Sequence, residues 1–321
     1  MDRDVIISEV GPRDGLQSIA RIMPLAAKIH WIRALAGAGV AEIEIGSFVH
    51  PKLLPQMADT GDVAAEATRL PGVSILALVP NLKGAERAFA ARVPRVSVPV
   101  SVSESHSRKN TNMTPVEAIG QVRAIDRHRR SLGRPRLPGL EVGLSTAFGC
   151  TIEGAIDEDQ VIRLAEMAAE AGADSVGLSD TTGMGNPAQA KRLFTRLRGA
   201  LGEKAGGAHF HNTRGQGLAN VWAALEAGVR TFDSSQAGLG GCPYAPGATG
   251  NIVTEDLVFL LEAAGFRTGI DIGKLIAARA ILAEALPGEP LYGHVPEAGL
   301  PKGFLPAARM ADRGRPSVSA P

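Results

Sequence analysis

The sequence has little cysteine, no marked excess of charge and no long apolar run. Two cysteines, Cys150 and Cys242, are too few for a disulfide framework and fit a reducing compartment. A net charge of +1 at pH 7 gives no electrostatic reason to expect nucleic acid or a membrane surface as a partner. The apolar runs are too short to cross a bilayer, and the chain starts on a strand-like run with no signal peptide. We therefore expect a cytoplasmic protein with no nucleic-acid or membrane partner.

Short β-type runs alternate with amphipathic helical stretches from one end of the chain to the other. Eight strands are predicted, at residues 5–10, 41–47, 73–79, 95–100, 140–146, 174–180, 207–211 and 229–235. The stretch 114–117 is a capping box with proline at the first helical position, and 186–187 repeats the cap-plus-proline pattern. Glycines 39, 172 and 228 stand between a helix and the next strand, where a helix C-cap belongs.

Eight β-then-α units with parallel strands favour an α/β fold that closes into a (β/α)₈ TIM barrel. The alternative is an open, doubly wound sheet, but no glycine fingerprint follows the first strand. The length suits one domain, predicted to span residues 1–304 and to include an additional C-terminal helix at 272–286. Residues 305–321 are rich in Pro, Arg, Ser and Ala, and a flexible tail is predicted there.

Polar side chains accumulate where the predicted strands end, which is where barrels of this type carry their active sites. They are Arg13, Asp14 and Gln17 after strand one, Glu44 on strand two, Asp180 ending strand six, His209 and His211 ending strand seven, and Cys242 and Asn251 after strand eight. Any one of them could be a cap or a core polar residue. Because five separate strand ends contribute, we expect a functional site.

The spacing of His209 and His211 places both imidazoles on one face of a strand, because strand side chains alternate. Alone, such a pair is more often packing than a metal site. Together with Asp14 and Asn251 it forms a mixed oxygen and nitrogen ligand set, although either partner taken alone would be a turn or helix-terminus residue. Such a set suits Mg²⁺ or Mn²⁺ and can also hold Zn²⁺.

The segment 238–250 after the eighth strand has five glycines and two prolines and is predicted to act as a lid. A phosphate cradle is the competing interpretation, but no lysine follows the glycines as in a P-loop. Cys242, in the middle of this segment, is either a buried structural thiol or a proton donor that lid closure brings to the site.

Four motifs together resemble the 3-hydroxy-3-methylglutaryl-CoA lyases, a family within the barrel-fold metal-dependent lyases and acyltransferases. They are Glu9-Val-Gly-Pro-Arg-Asp-Gly-Leu-Gln17, Ser47-Phe-Val-His-Pro-Lys52 with Pro55-Gln-Met-Ala-Asp59, His209-x-His211 with Gly215-Gln-Gly-Leu-Ala-Asn220, and Gly238-Leu-Gly-Gly-Cys-Pro-Tyr-Ala245 with Gly250-Asn251. The resemblance runs from about residue 5 to about residue 265.

This resemblance implies a carbon–carbon lyase that acts on an acyl-CoA substrate. The implied ligands of the divalent cation are Asp14, His209, His211 and Asn251. The implied catalytic groups are Arg13 for the enolate, Glu44 and Asp180 as acid/base or positioning carboxylates, and Cys242 for proton transfer. Candidate substrate contacts are Gln17, and Arg108 and Lys109 for the CoA phosphates; for the last two a solvated loop is the alternative.

Departures from the family pattern leave the acyl group open. The family's Gln-Asn-Glu-Lys is here the run 17–20, Gln-Ser-Ile-Ala, its Gly-Cys-Pro-Tyr is here Gly149-Cys150-Thr151-Ile152, and Asn212 replaces an aspartate. His106 stands where the family often has an aromatic and is assigned no role. A lyase for citramalyl-CoA, a Claisen-type acyltransferase and a silent acyl-CoA-binding barrel are the alternatives, and a homodimer is possible.

Overall fold

The computed structural model describes residues 3–240 and 250–310, and within them eight strands form one sheet. The strands are β1 (Ile6–Glu9), β2 (Glu42–Ser47), β3 (Ser74–Leu78), β4 (Arg95–Ser101), β5 (Gly139–Ser145), β6 (Ser175–Asp180), β7 (Ala205–Phe210) and β8 (Thr231–Ser234). All eight predicted strands are confirmed, and their ends differ from the predicted ones by no more than two residues.

The sheet is a closed parallel barrel in which each strand pairs with the next. The ring closes because β1 pairs with β8 in parallel, with Ile6 opposite Thr231 and Glu9 opposite Ser234. The predicted TIM barrel is therefore confirmed over the open sheet. Closure brings all eight strand carboxyl ends to one end of the barrel, which we call its carboxyl end; the other is its amino end.

Helices alternate with the strands and cover the outside of the barrel. They are α1 (Leu25–Gly37), α2 (Thr60–Ala67), α3 (Leu82–Ala90), α4 (Glu104–Thr111), α5 (Pro115–Ser131), α6 (Glu158–Glu170), α7 (Pro187–Leu201), α8 (Gly217–Glu226), α9 (Thr254–Ala263), α10 (Ile272–Ala285), α11 (His294–Ala298) and α12 (Ala307–Met310). None of these described helices combines the length and the apolar character needed to cross a bilayer.

The predicted helix boundaries are present. Thr114 and Glu117 form the reciprocal capping box at the start of α5, and the Asn186 side chain accepts a hydrogen bond from the Gln189 N–H at the start of α7. The three corner glycines have positive φ angles of 96°, 108° and 91°. The additional helix predicted at 272–286 is α10.

Three helices were not predicted. The segment that follows β4, for which a solvated loop was the alternative, is helical as α4, and Ser103 caps its first turn. After α10 the chain forms α11 and α12, and the Ala307 N–H donates to Oε2 of Glu262 on α9 over 2.7 Å. Residues 311–321 of the predicted tail lie outside the described residues, and the domain boundary at residue 304 stays a prediction.

The two faces of the strands differ in kind. Outward side chains such as Val98, Leu144 and Val176 are buried against the helices. Many inward positions are polar or small and half-buried: they include Arg95, Ser97, Glu141, Gly143, Ser145, Ser175, Gly177, Ser179, Thr231 and Asp233. The apolar residues Ile6, Leu76 and Leu78 line the same cavity. The interior of a TIM barrel is ordinarily filled by layers of bulky branched side chains. In this barrel the axis is not filled in that way, and polar groups line much of the space along it.

Candidate active site

A tight helical turn directly after β1 presents two of the predicted site residues. Over residues Gly11–Gly15 the backbone forms a π-type turn, a conformation that recurs at functional sites. The carbonyl of Val10 accepts from the N–H groups of Arg13 and Asp14 over 3.0 and 2.7 Å. A Cβ at Gly11 would lie 2.6 Å from Oε1 of Glu9, so only glycine fits this approach. The turn places Arg13 and Asp14 over the carboxyl end of the barrel, where both line its cavity.

The guanidinium of Arg13 joins two carboxylates. Its Nε donates to Oε2 of Glu44 and its Nη1 donates to Oδ1 of Asp14, each over 2.5 Å. Burial lowers the pKa of Arg13, but the two carboxylates outweigh burial and raise that pKa further above its usual value. Ser97 donates to the other Glu44 oxygen over 2.6 Å. Arg13 is therefore a permanently charged group in a fixed orientation.

The three predicted ligands Asp14, His209 and His211 meet at one point. One donor atom from each lies within 4.8 Å of the others. Oδ2 of Asp14 is 3.6 Å from Nε2 of His211 and 3.9 Å from Nε2 of His209. Burial raises the pKa of Asp14, but Arg13 and the two imidazoles outweigh it and hold that pKa far below its usual value. Asp14 is therefore ionised, as a ligand to a cation must be.

Asn251 joins the same cluster from the far end of the chain. Its Nδ2 donates to Oδ2 of Asp14 over 2.7 Å. The segment that holds it runs beside the end of β7, where Asn251 forms an isolated bridge with His211 and the Ile252 N–H donates to the carbonyl of Phe210 over 3.3 Å. The structure therefore brings together all four residues predicted as ligands.

Three buried nitrogen and oxygen atoms at this cluster make no hydrogen bond among the described residues. Both ring nitrogens of His211 and Oδ1 of Asn251 are buried without a hydrogen bond. A buried polar atom left unsatisfied costs about 1–3 kcal/mol, and native proteins rarely leave several together. A divalent cation accepts lone pairs from imidazole nitrogen, amide oxygen and carboxylate oxygen. The donor set therefore fits a divalent metal site.

Asp233 orients His209, and sequence reasoning missed it. Its Oδ2 lies 3.1 Å from Nδ1 of His209, because the two residues stand opposite each other in the β7–β8 register. Burial lowers the pKa of His209, but Asp233 and Asp14 outweigh burial and raise it. A carboxylate on one imidazole nitrogen fixes the orientation of the ring toward a metal at the other. The polar residue in the middle of the predicted eighth strand was the available signal.

Asp180 ends β6, but its oxygens are used by its own loop. Oδ1 accepts from the Met184 N–H over 2.9 Å, and Oδ2 accepts from the Gly185 N–H over 3.0 Å. Burial raises the pKa of Asp180, and these two hydrogen bonds oppose that rise. Of the two roles predicted for Asp180, the geometry favours positioning over proton transfer.

The three residues predicted to contact substrate differ in their distance from the candidate site. Gln17 donates to Oδ1 of Asp14 over 2.8 Å, so it supports the cluster directly. Lys109 lines the cavity at the carboxyl end. Arg108 is instead paired with Glu104 on the exposed surface of α4, over 2.8 Å, and is not among the described cavity-lining residues. Cys242 and most of the predicted lid lie outside the described residues.

A buried carboxyl group, Glu9, lies at the seam where β1 pairs with β8 and bonds to segments on both sides of it. No role was predicted for Glu9 from the sequence. Its Oε1 accepts from the N–H groups of Gly11 and Gln236 over 2.9 and 2.8 Å. Its Oε2 accepts from the Thr254 hydroxyl over 2.7 Å. Burial raises the pKa of Glu9 to about 8 in spite of these hydrogen bonds. Glu9 therefore ties the turn that carries Asp14 to the segments around Asn251.

Comparison with known proteins agrees with this arrangement. The model of the HMGL-like family matches residues 4–282. The hydroxymethylglutaryl-CoA lyase of Bacillus subtilis is 40% identical over 289 residues, which are 90% of this chain and 95% of that protein. A 3-hydroxy-3-isohexenylglutaryl-CoA/hydroxymethylglutaryl-CoA lyase of Pseudomonas aeruginosa is 40% identical over 279 residues, which are 87% of this chain and 91% of that protein.

A solved structure shows the same fold with ligands bound. The HMG-CoA lyase of Acinetobacter baumannii, in complex with coenzyme A and 3-methylmalate, superposes with a TM-score of 0.86 at 39% identity, covering 94% of this chain and 97% of that one. The sequence motifs, the closed barrel and the Asp14 cluster at its carboxyl end point to the same family as these comparisons. The chain belongs to the HMGL-like family.

Proposed function

We propose that this protein is a divalent-metal-dependent carbon–carbon lyase that cleaves 3-hydroxy-3-methylglutaryl-CoA to acetyl-CoA and acetoacetate. The observation that carries the proposal is the fixed Arg13 guanidinium directly beside the cluster of Asp14, His209 and His211. Relatives that share about 40% of the sequence over most of its length are named as lyases for this thioester. The relative solved with coenzyme A supports an acyl-CoA substrate.

Asp14, His209, His211 and Asn251 would hold the divalent cation, either Mg²⁺ or Mn²⁺, with Zn²⁺ as a further option. When bound, the cation supplies Lewis-acid stabilisation of the substrate's tertiary alkoxide. Asp233 keeps His209 in the orientation that a ligand needs. Gln17 and Asn251 hold the two oxygens of Asp14 in place.

Arg13 is placed to stabilise the charge that develops during cleavage. Transfer of the hydroxyl proton to a base, for which Glu44 is the described candidate, allows the carbon–carbon bond to break. The electron pair of that bond moves onto the thioester fragment, which becomes an enolate. Glu44 and Asp14 engage Nε and Nη1 of Arg13, so further N–H donors of the guanidinium remain for the enolate oxygen. A proton then adds to the enolate carbon to give acetyl-CoA, and the other fragment leaves as acetoacetate.

Glu44 is the described carboxylate best suited to handle a proton beside Arg13. Burial raises the pKa of Glu44, and the charge of Arg13 opposes that rise. A group that holds a proton more tightly than usual next to the reacting atoms suits acid/base work. The proton-transfer role of Cys242 stays a prediction of the sequence, as do the homodimer and the cytoplasmic location.

Turnover of a substrate panel tests the proposal. The purified protein is incubated with Mg²⁺ or Mn²⁺ and with 3-hydroxy-3-methylglutaryl-CoA, 3-hydroxy-3-isohexenylglutaryl-CoA or citramalyl-CoA, and acetyl-CoA is followed. We expect acetyl-CoA and acetoacetate from the first thioester. Preferential turnover of another member would change the substrate but keep the reaction. Consumption of acetyl-CoA with a keto acid would indicate an acyltransferase, and binding without turnover of any member would indicate a silent barrel.

A further inference from the structure

The cavity that contains the candidate active site does not end beneath it. One cavity of about 1220 Å³ is lined at the carboxyl end by residues such as Asp14 and His211, and at the amino end by Arg198, Glu203 and Arg230. A packed TIM-barrel interior separates these two ends. Here the same cavity includes inward residues from every level of the strands between them.

The residues along this axis leave room and offer polar partners. Ser145, Ser175 and Ser179 point inward from β5 and β6 and are half-buried. At Gly143, also inward on β5, an added Cβ would meet only Ser179 Oγ, at 3.7 Å, among the described residues. Cavities in proteins stay dry when they are apolar and hold water when they supply several polar groups. The polar groups along the barrel axis therefore favour bound water there.

Charged groups extend along the passage as far as its opening at the amino end. Arg95 forms ion pairs with Glu42 and Glu141 across the inward face of three strands. The Arg95 side chain is still 33% exposed, and Arg95, Glu42 and Glu141 all line the cavity. This ion-pair group places charged atoms in the passage beside the apolar side chains of Ile6 and Leu76.

From these features we propose that a water-filled passage runs through the barrel and connects the candidate active site with solvent at the amino end. An acyl-CoA that enters the carboxyl end must displace the water there. In a site with one opening that water can leave only past the substrate. The passage gives displaced water a second route, along Ser145, Gly143 and Ser175 to the amino end. This role rests on the proposed function, whereas the existence of the passage does not.

The passage itself is tested on the free protein by a crystal structure that resolves ordered solvent. We expect a continuous chain of water molecules from the side chain of Asp233 to the opening at the amino end near Arg198. A dry axis, or one closed by side chains, would overturn the proposal whatever the protein's activity is.

Access in solution is tested with Ser145→Cys as a probe on the carboxyl side of Gly143. A small methanethiosulfonate reagent is added with and without saturating CoA, and modification of residue 145 is followed by mass spectrometry. We expect labelling to persist with CoA bound. With CoA bound, the second substitution Gly143→Leu should slow labelling of residue 145 at least about tenfold, because a filled interior does not admit the reagent. Gly143→Ala is the matched control and should leave the labelling rate nearly unchanged.

Labelling that CoA alone abolishes would show a single opening and overturn the proposal. CoA binding to each variant is measured separately by calorimetry. Failure to bind CoA would count against the proposed function, and the solvent structure would then decide the passage alone.

Discussion

Nδ2 of Asn251 donates to Oδ2 of Asp14 over 2.7 Å and joins two residues that lie 237 positions apart. Asp14→Ala removes both the carboxylate ligand and the partner of Asn251. We expect this variant to lose stoichiometric Mn²⁺ binding in calorimetry and Asn251→Ala to bind Mn²⁺ more weakly than wild type. Asp62→Ala, at an exposed position on α2, is the control. Wild-type affinity in the Asp14 variant would remove Asp14 from the ligand set.

Asp233→Asn tests the orientation of His209. The amide keeps the shape of the side chain but takes away the charge that the imidazole faces over 3.1 Å. Loss of such a partner ordinarily lowers metal affinity by about 10- to 100-fold, and we expect a decrease in that range. The measurement is the Mn²⁺ dissociation constant, with Asp62→Asn as the matched surface change. An unchanged constant would leave Asp233 without a role at the metal.

Arg13→Lys preserves the charge but not the fork that reaches Glu44 and Asp14 together. The three N–H donors of an ammonium share one nitrogen on a flexible stem, so they do not span both carboxylates and the enolate as the rigid guanidinium plane does. We expect kcat to fall by about 100-fold or more, the effect of losing a fixed donor to a developing oxyanion, while metal still binds. Arg192→Lys, in a surface pair with Glu158, should be as fast as wild type. A fully active Arg13→Lys enzyme would contradict the role proposed for the guanidinium.

Glu9 makes the free energy of unfolding depend on pH. Burial raises its pKa from 4.5 to about 8 in the folded chain, so the folded state binds a proton that the unfolded state has lost. The stability that this group contributes is complete below its unfolded pKa and is lost as pH rises through about 8. We expect Glu9→Gln to reduce this fall in the free energy of unfolding, measured by urea denaturation between pH 4.5 and about 8. A parallel pH dependence in both proteins would show that other groups cause it.

Gly15→Ala tests the crowding of the turn that carries Asp14. A Cβ at this position would lie 2.8 Å from Cβ of Leu239. Overpacking of this kind costs about 1–3 kcal/mol, and we expect a loss of that size in the free energy of unfolding together with weaker metal binding. At Gly61 in α2 an added Cβ meets nothing within 4 Å, so Gly61→Ala should not destabilise. Equal stability of the two variants would mean that the turn can relax.

The sequence predicts the barrel well because its strong signals are local. Hydrophobic alternation marks the eight strands, and the cap at Thr114 and the glycines at the corners mark where helices begin and end. The same reasoning placed Asp14, His209 and Asn251 at one end, since parallel strands in a barrel share that end.

Contacts between elements that lie far apart in the chain were beyond local reasoning. Asp233 faces His209 only because of the register between β7 and β8, and Glu9 reaches Thr254 only because the barrel closes. A single sequence does not specify either relationship. The helix α4 was missed because its residues have no apolar stripe long enough to distinguish it from a loop, although Ser103 caps it.

Closure of the barrel by β1 and β8 has a consequence for the order of events during synthesis. The first proposed ligand leaves the ribosome early, but its partner Asn251 follows only after every strand has been made. The growing chain therefore carries individual proposed ligands but not the complete ligand set. Tight metal binding therefore requires the closed barrel and reports that the last stage of folding has been reached.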